Sequence, residues 1–334
     1  MRKILSVFCI IPLLLAVSSC KPHQGRPQPE TEYPKKFIEL IAPAGPGGGY
    51  DLTIRSIAQC LLDTKLVSIP LPVTNMPGGG GAVALTYLDE KRGSDDILAV
   101  YSPPLCLVNL NGSTSLNYRE NTTPVARMIT DYGMFAVGKN SPYNSIGQVM
   151  EALKKDPLSI TIGGISAPGS MDHIQFLQVA HKAGVANLDK IQYIGFQDGS
   201  AAAQLMGGHV DLISTGISDA IGLVESNDIR ALAITAEKRV GTGLVSEIPT
   251  CIEQGIDATF FNWRGIFGPK DMPRAALDYW EDILSRLSQT PEWQDICERY
   301  GWEITYQEHE QFLDFLDEVN SEYGALLDEI GYLR

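Results

Sequence analysis

Four times along this chain an apolar, β-like run ends in a glycine-bearing loop that opens directly into a stretch with helical spacing. "FIELIAPA" (Phe37 to Ala44) is followed by "GPGGGY", and then by Leu52, Ile54, Ile57, Ala58, Leu61 and Leu62 at near-helical intervals, with Asp51 where an N-cap is expected. "LVSIPLPVTNM" leads into "PGGGGAVALTYLDEK", where Ala82, Leu85 and Leu88 form a stripe. "LSITIGGISAPGS" leads into "MDHIQFLQVAHKAG" with Ser170 as candidate cap, and "IQYIGFQDGS" leads into "AAAQLMGGHVD" with Asp198 or Ser200 in that place.

Such alternation builds α/β layers with mainly parallel strands, whose carboxyl ends share one crevice where ligands bind. Each glycine loop then sits at a helix amino end, where backbone N–H groups lack partners and the helix dipole is positive. Glycine permits φ > 0 and lets a ligand approach without a Cβ in the way. A small anion such as a carboxylate can be held there mostly by main-chain donors, without arginine. One such loop alone reads equally well as a tight connection; four in corresponding places favour a shared site.

The amino terminus has the anatomy of an export signal. Arg2 and Lys3 precede "ILSVFCIIPLLLAV", too short for a comfortable membrane span, and "VSSC" places Cys20 as a lipid-accepting cysteine. Residues 1–19 are thus expected to be a lipoprotein signal peptide and 20–33, rich in proline and polar residues, a tether. Removing 1–19 takes away two basic residues, leaving 24 against 40 acidic ones, a net charge of −16. That balance repels nucleic acid. Cys60, Cys106, Cys251 and Cys297 are dispersed, so disulfides and buried free thiols both remain open. At 44% hydrophobic and 20% charged the composition is ordinary for a globular protein, and about three hundred folded residues call for two domains.

Enzyme motifs fail when tested. No glycine loop ends in Gly-Lys-Ser/Thr; the dinucleotide pattern meets Tyr50 or Val83 where its last glycine belongs; "GISAP" breaks the serine elbow. His173 and His181 lie eight residues apart, more than two helical turns, and form no metal clamp. His173 either faces the crevice or is a partly exposed helix residue. Near the carboxyl end, Phe312, Phe315, Leu316, Val319, Tyr323, Leu326 and Leu327 mark an amphipathic helix with an acidic outer face.

In order along the chain, "PAGPGGGYDLTIR", "NMPGGGGAVA", "ISAPGSMDH", "YIGFQDGSAAAQLMGGHVD", "DIRALAITAEKR", "EIPTCIEQGID" and "WRGIFGPKDMP" resemble the solute-binding component of tripartite tricarboxylate transporters, the Bug family. The chain departs from many members in lacking a phenylalanine ahead of the first glycine loop. The resemblance implies a two-domain periplasmic-binding-protein fold (type II-like) with a ligand cleft between the lobes. Residues 34–133 and 236–334 would form one domain and 134–235 the other, with Gly133–Gly138 and Ala231–Ala236 as crossovers. It implies a carboxylate pincer of Gly47, Gly48 and Tyr50 from the first loop and Ser166, Ala167, Gly169 and Ser170 from the third, joined by Gly79. Gln197, Asp198 and Gly199 would close from the middle domain. Asp51 either caps its helix or meets a water or a ligand group, and Trp263 either walls the cleft or fills the core. The implied function is an extracytoplasmic, lipid-anchored monomer that binds a small organic carboxylate and hands it to the large and small permease subunits, with no cofactor, metal or catalysis. An enzyme acting on a small acid in the same crevice and a ligand sensor are the alternatives.

Overall fold

The computed structural model describes residues 33–34, 36–196 and 199–334. The expected signal peptide, Cys20, the tether up to Glu32, Gln197 and Asp198 lie outside the described residues. The described strands are β1 (Glu39–Ala42), β2 (Val73–Asn75), β3 (Ile97–Tyr101), β4 (Thr122–Gly138), β5 (Thr161–Gly164), β6 (Gln192–Gly195), β7 (Leu212–Gly216), β8 (Ile229–Ile234), β9 (Phe261–Pro269) and β10 (Glu303–Gln307). The helices are α1 (Gly49–Asp63), α2 (Ala82–Glu90), α3 (Pro104–Leu110), α4 (Tyr118–Asn121), α5 (Ile146–Lys155), α6 (Met171–Lys182), α7 (Ala201–Met206), α8 (Ile217–Glu225), α9 (Arg274–Leu287), α10 (Pro291–Tyr300) and α11 (His309–Glu329). The four expected units are present: β1 feeds α1, β2 feeds α2, β5 feeds α6 and β6 feeds α7.

The sheet runs β2-β1-β3-β9-β4-β7-β5-β6, with β8 and β10 also pairing to β4. Its wings are parallel, as the alternation requires, but its centre is antiparallel: β3 with β9, and β4 with β7, β8, β9 and β10. The expectation of mainly parallel strands therefore holds only in the wings. The long strand β4 explains the difference. Its first part pairs β9 and β10, and Gly133–Gly138 pairs β7 and β8. The two expected crossover segments thus lie side by side, with Met134 opposite Ile234 and Ala136 opposite Ala231.

Helices cover the sheet through their apolar faces. Ile54, Ile57, Ala58 and Leu61 of α1 are buried, whereas Leu62 is exposed. Phe312, Leu316, Val319, Tyr323 and Leu327 of α11 are buried along one face. Trp263 belongs to this core: it is fully buried, its ring 5.8 Å from Phe312 and 6.1 Å from Phe315. All four cysteines in the described residues are buried free thiols. Tyr33, the last residue of the expected tether, is docked, accepting a hydrogen bond from Trp280 Nε1 at 2.7 Å and donating to the Asp95 carbonyl at 2.6 Å. Truncating Phe312 to alanine removes the ring on which Trp263 and Phe267 pack and should cost about 3–5 kcal/mol; urea unfolding of the two proteins measures it.

Candidate functional site

Three of the four glycine loops open onto one cavity of about 90 Å³, room for several waters or one small solute. The first loop and α1 contribute Pro43, Ala44, Gly49 and Tyr50; the second contributes Pro77, Gly78, Gly80 and Gly81; the third contributes Ile165, Ser166, Ala167 and Ser170. Local backbone chemistry sets this up. All of Gly78 to Gly81 have positive φ, between 58° and 131°, which side chains with a Cβ rarely adopt. A Cβ on Gly80 would sit 3.7 Å from Ser170 Oγ, so the second and third loops face each other directly. The first-turn amides of α1 and α6 have no intrahelical partners, and both turns line this cavity.

The expected site residues divide. Tyr50, Ser166, Ala167 and Ser170 line the cavity. Gly47, Gly48, Asp51, Gly79, Gly169 and Gly199 are not among the residues that line it. Gly47 donates its N–H to Asp51 Oδ2 at 2.9 Å, and Gly169 donates its N–H to His173 Nδ1 at 3.0 Å. Asp51 is not the N-cap of α1. Gly48 holds that position, and Asp51, one turn inside, also accepts from Arg55 Nε at 2.7 Å and Asn75 Nδ2 at 2.8 Å. Burial opposes ionisation of Asp51, but these donors outweigh it and lower its pKa. Ser170 does sit at the N-cap of α6, yet its hydroxyl makes no capping bond and has no partner among the described residues. His173 is buried, not partly exposed; it stacks on Tyr193 with ring centres 4.4 Å apart, and burial lowers its pKa to about 4, so it is neutral.

The reading of the residues left out the polar wall: Ser102, Asp172, Asp219, Asn262 and Arg264. Arg264 corrects the expectation that the site does without arginine. It is 2% exposed, and its Nη2 lies 2.9 Å from Asp131 Oδ2 while Nη1 donates to the Gly49 carbonyl at 2.6 Å and Thr53 Oγ1 at 2.5 Å. Gly49 is required here, since a Cβ would overlap the guanidinium. Asp172 Oδ2 accepts the N–H groups of Ile165 and Ser166 at 2.8 and 2.9 Å, holding the third loop against α6. Burial, with the negative charge of Asp219, pushes Asp172 up to about 7. Burial also raises Asp219, against the pull of Arg264, and lifts Asp131 to about 6.

The match to known proteins is consistent along the chain. The family model described as "Tripartite tricarboxylate transporter family receptor" matches residues 54–332. The chain belongs to that family. It is 28% identical to the protein BugT of Bordetella pertussis over 245 residues, covering 71% of this chain and 72% of that one. Among solved structures, the R. palustris protein Rpa4515 with adipate superposes with a TM-score of 0.81 at 19% identity, over 90% of this chain and 99% of that one. MatC from Rhodopseudomonas palustris with bound malate does so at 0.76 and 20%, over 89% and 99%. The fold is therefore the periplasmic-binding type, and the receptor is a binding protein and not an enzyme.

Two outcomes follow for the receptor's polar wall. Replacing Arg264 with methionine leaves Asp131 unpaired in the interior and should destabilise by about 3–5 kcal/mol, read from denaturant melts at neutral pH. Asp172 has a higher pKa folded than unfolded, so its contribution to stability is full below about pH 4 and is lost as pH rises through about 7. Asp172→Asn should therefore gain melting temperature over the parent at pH 8, and the gain should shrink at pH 5. An equal difference at both values contradicts the shifted carboxyl.

Proposed function

We propose that this receptor captures a small carboxylate outside the cytoplasm by closing two lobes over it, and delivers it to the large and small subunits of a membrane permease. The observation that carries the reading is the convergence of two helix amino ends on one cavity, with the buried Ser170 hydroxyl at the start of α6 lacking a protein partner among the described residues. Amide hydrogens at a helix start are natural carboxylate donors. The adipate and malate in the two superposable family structures support the same ligand class.

The lobes are 34–133 with 236–334, and 134–235. The cavity draws Gly49, Tyr50, Gly80, Asn262 and Arg264 from the first and Ser166, Ser170, Asp172 and Asp219 from the second. Gly133–Gly138 and Ala231–Ala236, adjacent in the sheet, are the hinge, and closure is driven by contacts that a solute makes with both lobes at once. Gly47, Gly48, Gly79, Gly169 and Gly199 act by shaping the loops. Among the described residues no helix is long and apolar enough to cross a membrane, and a lipid on Cys20 supplies the attachment.

Calorimetric titration of the purified protein with small organic acids tests the reading, with one-to-one binding of an unchanged acid as the expected result. Ser170→Ala should weaken that binding by about 1–2 kcal/mol while leaving the melting temperature of the free protein nearly unchanged. Unchanged affinity would remove Ser170 from the grip.

A further inference from the structure

We infer that the acidic wall of this cavity holds a protonated amine, so that the solute is an amino acid or a similar zwitterion in preference to a plain di- or tricarboxylate. The inference rests on the carboxylate reading above for the other end of the solute.

Three oxygens carry it. Asp172 is 0% exposed and Asn262 is 1% exposed, yet Oδ1 of each has no hydrogen-bond partner among the described residues, and the same is true of Asp219 Oδ1. All three residues line the one cavity, and they come from α6, β9 and α8. Buried acceptors without donors cost free energy until something donates to them. A primary ammonium brings three N–H donors and no acceptor, the complement of this wall.

The charges point the same way. Arg264 is the one basic side chain among the described residues lining the cavity. It is bonded to Asp131, with Asp219 close by: a Cβ placed on Gly216 would lie 2.7 Å from Asp219 Oδ2 and 3.0 Å from Asp131 Oδ2, so both carboxylates crowd one point. Among the described residues Asp172 has backbone amides but no cation as a partner, and His173 beside it is neutral. One guanidinium thus serves two buried carboxylates, Asp131 and Asp219, and is no partner of the third, Asp172. Burial raises the pKa of both Asp172 and Asp219, with the charge of Asp219 adding to the rise at Asp172, and an ammonium beside them would favour their ionised forms. A second ligand carboxylate placed here would meet acceptor oxygens and like charge; an ammonium would supply what is missing. The helix amino ends, with Ser170 at the start of α6, then remain for the acid group of the same molecule.

Calorimetric titration at pH 7.5 with matched pairs that differ only by the amine tests this: succinate against L-aspartate, glutarate against L-glutamate, and propionate against L-alanine. The expected result is that the amino member of the best-bound pair binds at least tenfold tighter than its partner, and that Asp172→Asn and Asp219→Asn each shrink that ratio to near one. Asp219→Asn, on a different helix, gives a second and independent readout of the same wall. Equal or tighter binding of the acid without the amine overturns the inference and leaves the carboxylate receptor standing. Putrescine binding as tightly as any acid supports the amine site and overturns the carboxylate reading. Binding by no member of the panel overturns both.

Discussion

The buried Arg264–Asp131 pair is the constraint on which the site depends. From β9 its guanidinium reaches the first turn of α1 through Gly49 and Thr53, the central strand β4 through Asp131, and the start of α8 through Ser218. A buried ion pair adds little net stability, because desolvating both charges offsets most of their attraction. Its value is geometric. The planar fork fixes where α1 begins relative to α8, and so fixes how the amides of the first loop face the other half of the cavity. Glycine at 49 is the corollary, because the guanidinium lies where a Cβ would be.

With that frame in place the glycine loops act by what they leave out. Gly78 to Gly81 bend through φ values that bring bare backbone against Ser170 and Ala167, and the third loop is tied to α6 by Asp172 and His173. Positions that do not touch the cavity still matter to it. Asp51 holds the Gly47 amide and the Asn75 side chain, which joins the first loop to β2. Donors fixed by bonds of this kind need little reordering when a solute arrives, which is how a site without surplus positive charge can still hold an acid.

The strand–glycine–helix units were legible because each is local: the period changes from β-like to helical across a few residues, and glycine marks the change. Ser170 at the start of α6 was legible for the same reason. Asp51 was misplaced because cap preference points to the first acidic residue after the glycines, whereas the helix starts earlier, inside the tract at Gly49. The antiparallel centre was not legible, since it depends on β4 pairing with distant strands, up to the 180 residues that separate Arg127 from Gln307 of β10. Arg264, Asn262 and Asp219 were missed on the same ground. Nothing near "FNWRGIFGP" marks its arginine as buried; only the distant Asp131 and Gly49 make it so.

The polar wall also changes what kind of selectivity the receptor can have. Helix amides accept any carboxylate of suitable size, so on their own they distinguish acids mainly by length. A buried oxygen left without a donor costs about 1–3 kcal/mol, whichever acid is bound. Asp172, Asn262 and Asp219 therefore act on the choice by penalising every solute that fails to donate to them, in the way that sites built around a hydrogen-bonding group reject analogues lacking it. Discrimination of that kind does not require a stronger grip on the acid end. In this reading the acid end and the choice of solute are set by different atoms of the same cavity, the backbone amides for one and the Oδ1 oxygens of Asp172, Asn262 and Asp219 for the other.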